Sequence, residues 1–205
     1  MLFRSNGLQA FAFADGQPKA RAVNTQLASH AQVAAAVNAA GLKPMGLGSM
    51  GANVADAATA AQDYTATTEY SFTLAGPGGL TLGLLDFTGY AQGGAFALTF
   101  DVSNSGTSLV HQSFDTLSSA DAYFSDHALD LGRFSGHVDL AITFQVSGAT
   151  AQGAGFSYVL AGGALANSLT LPSAVPEPQT WLMWMAGLAA AAGRARLQRR
   201  QPRSA

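Results

Sequence analysis

The densest run of residues able to do chemistry is Asp121-Ala122-Tyr123-Phe124-Ser125-Asp126-His127-Ala128-Leu129-Asp130. Carboxylates and an imidazole this close could form part of a Ca2+ or transition-metal site, since hard cations take carboxylate oxygens. The spacing is not that of an EF-hand, which alternates its ligands, turns on a central Gly and closes with Glu. The competing reading is a solvated loop whose Asp side chains cap turns. His30, His111, His127 and His137 are scattered along the chain, and no Gly-x-Ser-x-Gly elbow marks a nucleophile. Glu69 and Glu177 are the only glutamates, so a glycosidase pair would have to use aspartates. The glycine clusters lack a following helix and a Lys and read as turns, not phosphate cradles. The expectation is a protein without catalytic residues, metal or cofactor, and not an enzyme.

Charge separates the chain into two unlike parts. Five of the ten Lys and Arg fall in the final twelve residues. Residues 1–174 carry five bases against eleven acids, a formal −6, while residues 175–205 carry five against Glu177, or +4. An acidic body disfavours nucleic acid, because phosphate binding needs clustered bases to release counterions. The terminal arginines suit the anionic cytoplasmic face of a membrane.

The tail has three parts in order. Val175-Pro176-Glu177-Pro178 opens it and an apolar run follows from Trp181 to Ala192, led by Trp181, Leu182, Met183, Trp184, Met185 and Leu188. Arg194, Arg196, Arg199, Arg200 and Arg203 complete it. As a helix the run reaches only ~20 Å at about 1.5 Å per residue, short of a ~30 Å hydrocarbon core. Length alone favours a core helix. The flanks favour the membrane. Pro176 and Pro178 fix a clean helix start, both Trp sit at headgroup level, and the arginines stay on the cytoplasmic side with the body outside.

A Pro-Glu-Pro, a Trp/Leu/Met/Gly/Ala segment and a terminal Arg cluster resemble the PEP-CTERM sorting signal of Gram-negative bacteria. The resemblance implies handling by exosortase, a membrane-embedded, transpeptidase-like enzyme. Pro176, Glu177 and Pro178 would be the recognition motif, Trp181 to Ala192 a temporary hold in the inner membrane, and the arginines a cytoplasmic block. The N-terminus does not supply a matching leader. Met1-Leu2-Phe3-Arg4 runs into Ser5, Asn6 and Gln9 with no sustained apolar stretch. Val33 to Gly51, with Ala58-Thr59-Ala60 as a cleavage site, is a weaker candidate, broken by Lys43 and Pro44. An Ala-rich helix from about Thr25 to Ala40, stopped by Gly41 at C′, is the preferred reading. Either an export leader lies upstream of Met1, or the chain as given is not exported.

There is no cysteine, so an exported body must be held by its core alone. Val138, Leu140, Ile142, Phe144 and Val146 alternate with small and polar residues, the period of a strand with one buried face. Phe96 to Val102 and Tyr70 to Leu74 repeat the pattern, as do Phe156, Tyr158 and Leu160. Leu80, Leu82 and Leu84 with Leu85 and Phe87 form another strand, with a bulge that shifts the phase. Gly76-Pro77-Gly78-Gly79, Gly89 to Gly94, Asn104-Ser105-Gly106 and Gly148 to Gly155 fall between them as turns, with no helical pattern intervening. The expected fold is all-β, an antiparallel β-sandwich of six to eight strands in two layers. The expected divisions are a low-complexity, partly helical and loosely attached region at 1–62, the sandwich at 63–165, a linker at 166–174 and the sorting tail, with its hydrophobic helix, at 175–205.

Tyr70-Ser71-Phe72-Thr73-Leu74 and Gly155-Phe156-Ser157-Tyr158 are similar to the FxDxF subset of PEP-CTERM proteins, although the subset's aspartate falls on Thr68 and its first aromatic on Ala66. The reading is an exported envelope or extracellular-matrix protein, processed by exosortase and associated with exopolysaccharide. The alternative is a carbohydrate- or ice-binding module on the same anchor. Both Trp lie in the tail, leaving Tyr64, Tyr90 and Tyr123 as stacking platforms outside strands. Thr65, Thr67 and Thr68 are too few for an ice-binding array.

Overall fold

The structure is a computed structural model that describes residues 10–16, 18–54, 62–92, 96–148 and 150–166. In chain order the elements are β1 (Ala10–Asp15), α1 (Ala20–Ala28), α2 (Ala31–Ala39), β2 (Lys43–Val54), β3 (Gln62–Ala91), β4 (Ala97–Asn104), β5 (Thr107–Phe114), α3 (Leu117–Phe124), β6 (His127–Gly148) and β7 (Gln152–Gly162). The strands form one antiparallel sheet of order β1-β2-β7-β3-β6-β4-β5. Of the seven strands among the described residues, β1 and β2 lie in the region 1–62 where no strand was expected. β3 to β7 supply five to the expected sandwich, fewer than six because two expected strands are joined in β3. The hydrogen bonds between strands define a single continuous ladder, where two separate layers had been expected.

Long strands carry that continuity. The runs Tyr70 to Leu74 and Leu80 to Phe87, expected as two strands, are one 30-residue strand. Gly76-Pro77-Gly78-Gly79 does not end it. Ala75 to Pro77 bulge out of the ladder with β6, which resumes at Gly78 opposite Phe134. Opposite the bulge, Gly136 takes φ 75°, a conformation glycine adopts without the Cβ penalty. The expected phase shift after Leu84 is present as a break in the β3–β7 register between Leu84 and Phe87. Ser105 and Gly106, both at positive φ, make the two-residue turn joining β4 to β5.

Burial follows what covers each face. From Ala66 to Leu74 alternate residues of β3 are buried, as are Val138 to Val146 of β6 and Phe96 to Val102 on the segment of β4. From Leu80 to Leu85 every residue is buried, because a second, smaller apolar cluster lies on the back of the sheet. There Val33 and Val37 of α2 meet Leu85, Val159 and Ala161. Val33 presses onto Gly83, where a Cβ would collide with it.

The region 1–62 was expected to be low-complexity, partly helical and loosely attached. Its described residues supply the helical part as α1 and α2, and they add two strands that join the sheet. Aromatic rings explain the composition. Tyr158 lies over Gly48 and Tyr70 comes within 3.0 Å of where a Gly46 Cβ would stand, so β2 needs glycine where the rings sit. The helix expected over Thr25 to Ala40 is two helices, broken at Ser29 and His30. Its stop is as expected: Gly41 at φ 62° donates to the Asn38 carbonyl at 3.0 Å. Val33 to Gly51 is thus mostly α2 and β2, and Ala58 to Ala60 lie outside the described residues. A helix absent from the sequence reading, α3, stands between β5 and β6, its start capped by the Thr116 hydroxyl accepting from the Ser119 N–H at 3.2 Å. Beyond β7, Leu165 bridges to Leu74 and the Ala166 N–H donates to the Thr73 carbonyl at 2.7 Å, and residues 167–174 of the proposed linker lie outside the described residues.

Candidate functional site

The Asp121 to Asp130 segment is divided among separate local tasks. Asp121, on α3, accepts from the Ser125 hydroxyl at 3.1 Å. Asp126, at φ 47°, accepts from the Gln32 N–H at 3.0 Å and the Val33 N–H at 3.0 Å, capping the start of α2. Asp130 accepts from the Gly132 N–H at 2.8 Å, and the His127 Nδ1 lies 2.9 Å from the Tyr123 carbonyl. The three carboxylates accept from backbone N–H groups or a hydroxyl, as in the capping alternative, but the segment is the end of α3 and the start of β6 and not a solvated loop. Among the described residues no group of three or more His, Cys, Asp or Glu is placed to hold a metal ion.

The remaining histidines each pair with an aspartate. His111 meets Asp101 between β5 and β4, and His137 Nε2 lies 3.0 Å from Asp139 on β6; both pairs are exposed. His30 is different, being 6 % exposed. Its Nδ1 is 2.6 Å from the Gln26 carbonyl and its Nε2 3.2 Å from Asp86 Oδ1. Ser157 completes a Ser, Asp and His group, its hydroxyl donating to Asp86 Oδ2 at 3.4 Å. The order is wrong for nucleophilic catalysis, in which the imidazole stands between hydroxyl and carboxylate. Here the carboxylate is in the middle and the ring has no contact with the hydroxyl. Burial lowers the His30 pKa, but the Gln26 carbonyl, Asp86 and Asp126 together raise it above the ordinary value.

In the core, the Tyr70 and Tyr158 hydroxyls meet at 3.0 Å. Burial pushes both pKa values up, Tyr70 further through the neighbouring Tyr158 and Asp15, so both phenols stay neutral. They tie the first half of β3 to β7 at residues that are not ladder partners.

The stacking candidates are redistributed. Tyr64 and Tyr90 belong to β3 and not to loops. Tyr123 is packed against Phe100, Phe114, Phe124 and His127. Tyr90 is 42 % exposed, and Phe13 on the edge strand β1, which sequence reasoning passed over, is 66 % exposed. The hydroxyl-rich surface is also broader than Thr65 and Thr67 suggested. Register aligns Thr65, Gln145, Thr99 and Ser113 in one row across four strands, and Thr67, Thr143, Asp101 and His111 in the next. Thr68 points the other way and is buried. Strand register was the missing signal, since no local pattern announces it.

The sorting residues Pro176, Glu177 and Pro178, the segment from Trp181 to Ala192 and the five terminal arginines lie outside the described residues. Among the described residues no helix is long and apolar enough to cross a membrane. No curated protein and no solved structure matches the chain. Residues 174–200 match the PEP-CTERM protein-sorting motif, and the chain therefore carries the signal of an exported, membrane-transiting precursor that exosortase processes.

Proposed function

We propose that this chain is a non-enzymatic envelope or extracellular-matrix protein of a Gram-negative bacterium. Its tail holds it transiently in the inner membrane, exosortase releases it, and the β-sheet body then associates with exopolysaccharide. The motif at residues 174–200 is the observation that carries the reading. In the body, Asp126 caps α2, His111 pairs with Asp101 and His137 with Asp139, structural tasks that accord with the non-enzymatic part of the proposal. Kinship with the FxDxF subset belongs to the same proposal. Positions 66, 68 and 70 all face the core, so a subset aspartate at Thr68 would have to be buried. The test is Pro176→Ala with Glu177→Ala in an exosortase-bearing host, read by fractionation and mass spectrometry of the C-terminus. Uncleaved, membrane-bound precursor is expected; cleavage and release like the parent chain would overturn the reading.

A second reading, a carbohydrate- or ice-binding module on the same anchor, is favoured by the two hydroxyl-rich rows spanning β3, β6, β4 and β5. Glycan-array binding by the purified chain, lost with Thr67→Val and Thr143→Val, would support it. An empty array together with absent ice-growth inhibition would remove it.

A further inference from the structure

The α1–α2 pair sits on the sheet through a small set of contacts. Val33 and Val37 bury against Leu85, Val159 and Ala161, with Leu27 and Leu42 at the margin. Among the described residues the polar attachments are two: Asp126 capping α2, and His30. His30 occupies the junction between the helices. One ring nitrogen faces the Gln26 carbonyl in the last turn of α1 and the other faces the Asp86 carboxylate on β3. Both neighbours are acceptors. A neutral imidazole has one donor and one acceptor nitrogen, so it can satisfy only one of them, whereas the imidazolium donates to both.

The charged groups bearing on the ring are Asp86 from β3 and Asp126 from the loop before β6. From α1 it meets a carbonyl, and behind Asp86 stands the Ser157 hydroxyl of β7.

We propose that the α1–α2 pair is a pH-latched cover over the sheet's second apolar face, closed while protonated His30 bridges Gln26 and Asp86 and loosened when it gives up that proton. The Asp86 carboxylate keeps another partner in either state, the Ser157 hydroxyl, which donates to its Oδ2 at 3.4 Å. The direction follows from the raised pKa of His30 in the folded chain. The latch contributes fully below the unfolded value of about 6.5 and is lost as pH rises through the higher folded value. Opening bares Leu85, Val159 and Ala161 without disturbing the main core between β3, β6 and β4.

Hydrogen–deuterium exchange of the 205-residue chain, corrected for intrinsic exchange, reads this directly. Protection of amides in Ala20–Ala39 should fall between about pH 5.5 and about pH 8.5, roughly two- to fivefold, the range of an ion pair with one exposed partner. Amides from Val138 to Val146 should not change. His30→Gln should give low protection at both pH values with no step. Asp86→Asn, at a side chain 67 % exposed, should leave the fold intact and shrink the step. Equal protection of the parent chain at both pH values would overturn the proposal, as would a full step persisting in either variant.

Discussion

Phe124→Ala offers the sharpest test of how the body is held together. Phe124 is fully buried and is the side chain by which α3 enters the core. Phe156, Phe100, Tyr123, Phe114, Phe87 and Phe144 surround it with ring centroids between 4.7 and 5.7 Å away. Removing such a ring costs about 3–5 kcal/mol, the upper end applying where neighbours cannot collapse into the void. Five of these rings stand on β3, β4, β5, β6 and β7, each fixed by ladder hydrogen bonds, so the expected cost is ~4–5 kcal/mol. Phe124→Leu keeps most of the volume and should cost about 1.5 kcal/mol or less. Ala122→Ser, one turn face away and exposed, should stay within about 0.5 kcal/mol of the parent.

Urea unfolding is followed by far-UV circular dichroism, which reads the loss of strand structure directly. With a slope of roughly 2 kcal/mol/M, the alanine variant should lose ~2 M from its midpoint. A loss under about 0.5 M, or one equal to that of Ala122→Ser, would refute the placement of α3 as a core element.

Ile142→Asp should unfold the body, because it sets an unpaired carboxylate in the most regular buried face, while Thr143→Asp, on the outer face, should be tolerated; comparable thermal destabilisation of both would be inconsistent with the β6 register. Tyr70→Phe or Tyr158→Phe alone should cost about 1 kcal/mol by leaving a buried hydroxyl without its partner, and the double change should cost less than the sum of the two in denaturant titration. Replacing Arg194, Arg196, Arg199, Arg200 and Arg203 with Ser should weaken membrane retention of the precursor, seen as loss from the membrane fraction before processing. Unchanged retention would remove the cytoplasmic-block role of those residues.

The bulky alternating strands were legible because their periodicity records a single buried face. Val138 to Val146 and Phe96 to Val102 are buried as their pattern indicates. Where the partner supplies the bulk, the pattern vanishes. Tyr158 and Tyr70 fill the space over Gly48 and Gly46, so β2 looks like low-complexity sequence although it lies inside the sheet. The fusion of two expected strands into β3 was hidden for a related reason. Gly76-Pro77-Gly78-Gly79 has turn chemistry, but Gly136 on β6 bends with it and the ladder continues. α3 is short and serine-rich, with a single large anchor. The sorting motif at residues 174–200 was legible because such a signal is read as linear sequence, while the His30 and Asp86 contact joins residues 56 positions apart, beyond any local pattern.

The place of β7 in the sheet also sets an order of assembly. β2 is hydrogen-bonded to β1 and β7, and β7 in turn joins it to β3. Among the described residues β7 is the last strand to be synthesised, yet the first two have no other seat in the ladder. Met50 must wait for Phe156, its partner across the register. A chain emerging from the ribosome, or threading through a membrane from its N-terminus, can form the β4–β5 hairpin early. It cannot close the sheet until residues just ahead of the sorting tail have appeared. Non-local pairing of this kind folds slowly and leaves early strands open in the meantime. The strands β3, β6, β4 and β5 pair with one another and need nothing beyond Gly148, so what the topology withholds until β7 appears is the seating of β1 and β2 and the closure of the sheet.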